Sequence, residues 1–403
     1  MKNGKTEVHA ETQSSRRETN PPRSALSAPP REKNSLWETK PFEDCIESVK
    51  YTRKIQRKDF LDDGQFPIVS QEAEFTNGYW DDEADLFKVS TPVVIFGDHT
   101  QVLKFVDFDF VLGADGVKIL QPCDFLRPKF FFYQLQAANF ASLGYARHYR
   151  LLKELEVKYP PLAEQQRIVG LLDEAFEGLA TAKANAEKNL QNARALFESH
   201  LQSVFTQRGP GWVEKTLGDV FTTATGTTPP KNNVDFYGDF MPLVKPPELC
   251  DEAFDSAPDG LSEAGAAVAR TLPAKSILVS CIGNLGKIGL NIVPVAFNQQ
   301  INAILPDETQ AIPEFMFFQS LSPVFKSQLE SLASGTTVPI VNKSKFNSVS
   351  VVLPPLPIQK PVVAQLTSLR EETQRLARLY ERKHAALKAL KKSLLHQAFT
   401  GEL

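Results

Sequence analysis

Two short segments resemble motifs for nucleotide or base chemistry, but neither has the complete pattern. Residues 283–287, GNLGK, have too few residues between the glycines for a phosphate-binding loop and no following Ser or Thr. Residues 20–23, NPPR, have an arginine where a base-flipping methyltransferase has an aromatic ring that stacks on the extruded base. We therefore predict neither ATP hydrolysis nor methyl transfer. We interpret residues 283–287 as a turn in which Lys287 is available for a phosphate contact.

The sequence also gives little support for metal binding or disulfide bonding. Metal-ligand residue types occur in two pairs, but no further ligands lie near them in the sequence: Asp98 with His99, and Asp107 with Asp109. The four cysteines are far apart and include no C-x-x-C pair: Cys45, Cys123, Cys250 and Cys281. We predict no metal, no cofactor and a reducing, cytoplasmic location.

Length and composition indicate a globular protein with two or three domains. The chain has 403 residues, 42% of them hydrophobic, and a net charge of −3. A nucleic-acid role must therefore rest on local positive patches and not on overall charge. No apolar run is long enough to cross a membrane. Residues 1–36 have few large apolar side chains and no signal-peptide core, and we predict that they form a disordered tail.

An internal repeat determines the predicted architecture. Residues 160–206 and 354–400 correspond at an offset of 194 without a gap, and residues 37–45 and 212–220 correspond at an offset of 175. The second globular segment is therefore longer by 19 residues. The predicted boundaries are a tail at 1–36, a first head at 37–158, a first spacer helix at 159–208, a second head at 209–352 and a second spacer helix at 353–403.

Short strand-like runs separated by turns predict an α+β fold for both heads. The segments that follow the heads have apolar residues at helical spacings of three, four and seven. In the first they are Leu172, Phe176, Leu179, Ala186, Leu190, Ala193, Phe197, Leu201 and Val204; in the second they are Leu366, Leu369, Leu376, Tyr380, Leu387, Leu390 and Leu394. This pattern predicts two long helices that pair antiparallel as a coiled coil. The alternative is that each helix packs only on its own head.

The chain resembles the specificity subunits of type I restriction–modification systems, from Trp37 to its C-terminus. The strongest marks are the twin Pro-Pro-Leu-x-x-Gln segments at 160–165 and 354–359, and the similar helix endings at 201–205 and 394–403. Further marks are residues 212–220 and 334–337 in the second unit, and residues 96–100 and 113–118 in the first.

This resemblance implies a subunit that does no chemistry. Each head would be a target recognition domain that reads one half of a split site in double-stranded DNA. Two adenine-methylating modification subunits would dock on the repeated helix segments, and restriction subunits that move along DNA would join them. The docking residues implied by the repeated motifs are Gln165, Leu201, Phe205, Gln359, Leu395 and Phe399.

Polar loop residues are the candidates for DNA contact, because base-edge recognition needs hydrogen-bond donors and acceptors. In the first head they are His99, Thr100, Lys104, Lys118, Arg147 and His148. In the second head they are Lys287, Asn298, Gln299, Gln300, Thr336, Thr337, Asn342 and Lys343. We also predict that the helix pair sets the spacing between half-sites: four residues inserted near Ala184 should lengthen the tolerated spacer by about two base pairs.

Two other functions stay open on sequence grounds alone. The repeated helices equally fit a coiled-coil adaptor with two protein-binding heads. An enzyme, such as a nuclease or methyltransferase, is the third alternative, although it lacks a motif in this chain.

Overall fold

The computed structural model describes residues 37–114, 116–138, 140, 147–207, 209–335 and 337–403. The chain divides into two compact units, one formed by residues 1–174 with 392–403 and the other by residues 175–391. The predicted disordered tail at 1–36 lies outside the described residues. None of the helices in the described ranges is long and apolar enough to cross a membrane.

The first unit contains the first head and the beginning of a long helix. Its strands are β1 Glu38–Pro41, β2 Ile46–Glu47, β3 Lys54–Ile55, β4 Phe66–Val69, β5 Tyr79–Trp80, β6 Leu86–Phe87, β7 Val93–Gly97, β8 Leu103–Val106, β9 Phe110–Gly113, β10 Val117–Pro122 and β11 Glu156–Tyr159. Its helices are α1 Pro128–Ala137, α2 Tyr149–Lys153 and α3 Leu162–Thr206, of which α3 continues into the second unit.

Two larger sheets form most of the first head, and β1 pairs with β11 in a separate two-stranded sheet. One has the order β2-β10-β7-β8 and the other β3-β9-β4-β5, with β6 also paired to β9. All five residues of β7 are buried, as expected for a continuous apolar run in the middle of a sheet. Strands β4 and β9 are parallel, with Val69 opposite Leu112. Helix α1 begins with Pro128, where the missing N–H costs nothing, and buries Phe130 and Phe131.

The second unit contains the second head and most of both long helices. Its strands are β12 Val213–Thr216, β13 Thr222–Thr225, β14 Tyr237–Val244, β15 Glu252–Phe254, β16 Gly260–Leu261, β17 Thr271–Leu272, β18 Ile277–Ser280, β19 Ile288–Asn291, β20 Val295–Phe297, β21 Ile301–Leu305 and β22 Ser350–Leu353. Its helices are α4 Leu217–Val220, α5 Glu263–Val268, α6 Pro313–Leu321, α7 Pro323–Leu332, α8 Lys343–Asn347 and α9 Leu356–Thr400, of which α9 ends in the first unit.

The second head repeats the order of the central strands of the first and differs at the sheet edges, where β15 is an additional strand and β17 is antiparallel to β20 whereas β3 is parallel to β9. Its sheets are β13-β21-β18-β19-β15 and β16-β14-β20-β17. Strands β14 and β20 are parallel, with Val244 opposite Phe297, as β4 and β9 are in the first head. Strand β18 pairs antiparallel with β21, as β7 does with β10. The predicted α+β fold and its repeat are confirmed.

The long helices α3 and α9 each have 45 residues and are therefore about 68 Å long. Within the second unit their side chains pair in reverse order. His200 contacts Gln365 at 3.2 Å, Arg194 contacts Glu381 at 2.8 Å and Glu187 contacts His384 at 3.2 Å. The α9 partner number rises as the α3 number falls, so the predicted antiparallel pairing is confirmed.

The alternative of helices that pack only on their own heads is wrong, although the helix ends do enter a head core. Leu201, Phe205 and Leu366 belong to the core of the second unit, whereas Ala186 and Ala193 are buried along the pair. The apolar residues predicted to line the helix pair are buried or partly buried, except Leu390, which is 47% exposed. A two-helix seam buries only a narrow row on each helix, and Leu390 lies beside that row.

Candidate nucleic-acid interface

In the second head, five loops converge at one end of the sheets. Because β14 and β20 are parallel, the loops that follow them reach the same edge, and the N–H of Asn298 donates to the carbonyl of Val244 at 3.0 Å. Strand β18 ends where β21 begins, so the N–H of Cys281 donates to the carbonyl of Gln300 at 2.8 Å. Main-chain hydrogen bonds join the loops at 226–230 and 334–342 to the same cluster. The N–H of Thr227 donates to the carbonyl of Phe297 and the N–H of Gly283 donates to the carbonyl of Pro339, both at 2.9 Å.

This loop cluster contains all the predicted DNA contacts of the second head that the structure describes. Gln299, Thr337, Asn342 and Lys343 are exposed, and Lys287 and Gln300 are partly exposed. Thr336 lies outside the described residues. The Oε1 of Gln299 accepts a hydrogen bond from the Thr228 hydroxyl at 2.9 Å.

Two predicted contacts of the second head have structural roles. Asn298 is buried, donates from Nδ2 to Gln300 Oε1 at 3.0 Å and accepts from the Gln300 N–H at 3.1 Å. It shapes the loop and is not itself accessible to DNA, which corrects the prediction. Asn342 caps α8 by accepting from the N–H of Lys345 at 2.9 Å, so its carbonyl oxygen is engaged although the residue is exposed.

The first head has an equivalent cluster, organised by Asp98 and Gln71. The N–H of Asp98 donates to the carbonyl of Gly116 at 2.7 Å, and its carboxylate accepts from the N–H of Tyr149 at 2.7 Å. Gln71 joins the loop at 70–78 to this group, because its Oε1 accepts from the N–H of His99 at 3.2 Å and its carbonyl accepts from the Thr100 hydroxyl at 2.6 Å. Asp98 is thus a loop anchor.

The described residues contain no metal-ligand cluster, since nowhere in them do three His, Cys, Asp or Glu side chains group closely enough to hold an ion.

The predicted DNA contacts of the first head divide into exposed and buried side chains. Thr100 and Arg147 are exposed, His99 is partly exposed, and Lys118 lies with its Nζ 5.0 Å from the Tyr149 ring centroid. His148 is buried, with its Nδ1 3.0 Å from the Asp98 carbonyl oxygen. It therefore helps to hold the loops. Its side chain is not accessible to DNA, which corrects the prediction.

Lys104 is the other correction in the first head, because the residue is only 4% exposed. Its ammonium donates to the carbonyls of Glu74 and Phe75, the latter at 3.3 Å, and to Asn77 Oδ1 at 3.2 Å. Burial lowers the pKa of Lys104 to about 8, against the opposing attraction of Glu72 and Glu74. Lys104 binds protein carbonyls and so does not reach DNA phosphates.

The two glutamines of the Pro-Pro-Leu-x-x-Gln segments make the same internal contacts in the two units. Gln165 is fully buried, donates to the carbonyls of Phe125 and Pro160 at 2.8 and 2.9 Å, and accepts from the N–H of Arg127 at 2.8 Å.

Gln359 is equally buried and repeats this pattern with Gln310 and Pro354 at 2.9 Å and with Ile312 at 2.8 Å. We call each set of three bonds a glutamine clamp. The two glutamines tie helix starts to heads and are not surface docking residues, which corrects the prediction.

The other predicted docking residues are also largely internal. Leu201, Phe205 and Leu395 are buried, because they lie on the inner faces of their helices. Phe399 is partly exposed and packs edge-to-face on Phe130, with ring centroids 5.1 Å apart. A docking surface must therefore use other faces of the helices.

Sequence reasoning missed several residues that organise these loops. Gln71, Asn77 and Phe75 have no motif of their own, although Asn77-Gly78 is a turn dipeptide. The alternation of side chains along β8 could have shown that Lys104 points inward, since Lys104 shares a strand face with the buried Val106.

A chain with two heads of one frame, each with a loop cluster at one end, is typical of modular recognition proteins. The family described as type I restriction modification DNA specificity domain matches residues 34–190 and 210–381. The chain belongs to this family, since the two matches cover well over half of it.

Named relatives agree with this assignment. The chain is 30% identical over 259 residues to the type I restriction enzyme HindI specificity subunit of Haemophilus influenzae, a match that covers 62% of this chain but only 55% of that protein. It is 26% identical over 329 residues to the EcoR124I/EcoR124II specificity subunit of Escherichia coli, covering 77% of this chain and 80% of that one.

Solved structures share the fold. A chain from work on complex assembly and conformational transition of the type I R-M system aligns with a TM-score of 0.69 and 19% identity, over 93% of this chain and all of that one. The HsdS subunit from Thermoanaerobacter tengcongensis aligns with a TM-score of 0.52 and 18% identity, over 94% of this chain and all of its own.

Proposed function

We propose that this protein is the noncatalytic DNA-recognition subunit of a type I restriction–modification complex, in which each head reads one half of a bipartite DNA site. The observation that carries the proposal is the pair of loop clusters: the pairing of the central strands recurs in the two heads, whereas the loops at the same end differ. A common frame with different loops suits two different half-sites. The comparisons do not favour the adaptor alternative or an enzyme.

The proposed DNA contacts are the accessible predicted residues of the two clusters. They are His99, Thr100, Lys118 and Arg147 in the first head, and Lys287, Gln299, Gln300, Thr337, Asn342 and Lys343 in the second. Gln side chains suit adenine edges, and Arg or Lys suit guanine or phosphate. The net charge of −3 fits a role in base recognition, because partner subunits would supply much of the nonspecific phosphate binding.

The proposed partners are two copies of an adenine-methylating subunit, joined by restriction subunits, in the cytoplasm where the host DNA lies. Since the clamp and core residues are buried, docking would use exposed residues that recur in both helices. Leu196 and Leu390 are repeat equivalents and are 52% and 47% exposed. Each follows an exposed alanine, Ala195 and Ala389. The packing of the protein does not require the same exposed residues at equivalent positions of the two helices. Two copies of one partner would require them, because each copy would bind the same surface.

A head exchange tests the central proposal. Residues 212–352 would be replaced by those of a relative, and the methylated sites would be read by methylome sequencing of a host that carries the modification partner. The expected result is a change in only one half of the methylated sequence. A change in both halves, or in neither, would contradict the proposal. The control is the reciprocal exchange of residues 37–158, which should change only the other half.

A further inference from the structure

The loop at 70–78 of the first head presents an aromatic side chain to solvent. Phe75 is 47% exposed, and its ring packs on Phe108 with centroids 5.9 Å apart. Leaving about half of a phenylalanine in water forgoes on the order of 1 kcal/mol, a part of what full burial of the ring would contribute. A polar residue would meet the needs of an ordinary loop tip at less cost.

Many hydrogen bonds hold this loop in one shape. The N–H and hydroxyl of Ser70 donate to Asn77 Oδ1 at 2.9 and 2.8 Å, and the N–H of Asn77 donates to the carbonyl of Ile68 at 2.9 Å. The buried ammonium of Lys104 binds the carbonyls of Glu74 and Phe75. Burying an ammonium is costly unless its donors are satisfied. Here its donors fix the main chain that carries the exposed ring.

The loop belongs to the candidate interface of the first head. Gln71, near its start, binds His99 and Thr100 at 3.2 and 2.6 Å. The tip offers little to a phosphate: Glu74 is exposed and acidic, and Glu72 is paired with Arg57 at 2.7 Å. A ring beside a carboxylate suits the face and edge of a base better than the sugar–phosphate backbone.

We propose that Phe75 packs against a base step of the first half-site as an apolar wedge, and that Lys104 is the positioning residue that holds it there. This inference rests on the proposed function. The second head has a different arrangement: its exposed Phe240 lies within β14, and the loop that follows this strand begins at Lys245, whose N–H binds Glu248 at 2.7 Å. The wedge is therefore proposed for the first half-site.

The test uses the full chain assembled with its modification subunits and duplexes that carry 2-aminopurine at successive positions of the methylome-defined site. The modification subunit is expected to extrude the adenine that it methylates, so that position brightens for a different reason and is set aside. With the natural protein, one further position in the first half-site should brighten through loss of base stacking. Phe75→Ala should abolish that signal and weaken binding by about five- to hundred-fold. The salt dependence of binding should stay unchanged, because no phosphate contact is lost.

Two variants serve as controls. Phe75→Leu keeps an apolar contact with Phe108 but has no aromatic ring to stack on a base. It should therefore fold normally and give only part of the fluorescence signal. Phe240→Ala should leave the first half-site unchanged. If Phe75→Ala binds and fluoresces like the natural protein, the wedge is wrong. If the natural protein does not distinguish its site from a scrambled duplex, the proposed function itself fails, and the wedge with it.

Lys104→Met tests the positioning role. It should weaken the same fluorescence signal and leave both the second half-site and the salt dependence unchanged. The double variant with Phe75→Ala should bind no more weakly than Phe75→Ala alone, because both changes remove one interaction. Additive losses would show that Lys104 acts independently of Phe75 and would overturn its positioning role.

Discussion

The junctions of the two heads with their helices are alike, whereas their loop clusters are not. Gln165 and Gln359 make three hydrogen bonds each, to corresponding groups and at distances within 0.1 Å of one another. In the loop cluster of the first head, the buried Lys104 holds the loop tip that carries the exposed Phe75. In the second head, a hydrogen bond between the side chains of Asn298 and Gln300 shapes the loop. The repeat is thus strict where heads join helices and relaxed where we propose that DNA is read.

The largest expected effect is on the glutamine clamps. Gln165→Leu and Gln359→Leu each leave two carbonyls and one N–H without their partner in a buried site, and each should lower the free energy of unfolding by about 2–4 kcal/mol. Denaturant unfolding of the full chain measures this, with the exposed Gln191→Leu as control. Clearly unequal losses from the two clamps would break the equivalence of the junctions.

The exposed repeated leucines should have the next largest effect. Leu196→Glu and Leu390→Glu should each weaken the docking of one modification subunit by about 1–3 kcal/mol, because a charge replaces an apolar contact. Mass photometry should show complexes with one modification subunit for either variant and none for the double variant.

Leu171→Glu is the matched control for this docking test, since Leu171 is similarly exposed but corresponds to Gln365 in the repeat. It should leave the stoichiometry unchanged. Loss of both subunits from a single leucine variant would contradict twin docking sites.

A pH dependence of similar size is expected from the first head alone. The pKa of Lys104 is about 8 in the folded chain and near 10.5 when unfolded, so between these values the unfolded state binds more protons. Stability from this group therefore rises with pH through that window and is lowest below pH 8.

Compared with Lys104→Met, the natural protein should gain about 1–3 kcal/mol of unfolding free energy between pH 7 and 10. Denaturant unfolding of both proteins at each pH isolates Lys104, because the other titrating groups cancel in the difference. Parallel pH curves for the two proteins would show that Lys104 titrates normally.

The sequence predicted the frame of the molecule better than the roles of its polar residues. The offset of 194 and the Pro-Pro starts located both long helices, because helix spacing and capping are local properties. Asn298 and His148 look like any loop polar residue, and their burial depends on loops that meet only after folding. Lys104 was also predicted to contact DNA and is buried, but here the sequence held a local signal, because Lys104 alternates in step with the buried Val106 along β8.

The glutamine clamps have one further consequence. Apart from the glutamine, every group in them is main chain. These groups are the carbonyls of Phe125, Pro160, Gln310 and Pro354 and the N–H groups of Arg127 and Ile312. Such a fastening does not sense which side chains the head carries at those points. We therefore expect that a head of different sequence can join the same helix start without a compensating change in the helix, because the glutamine would find the same main-chain partners.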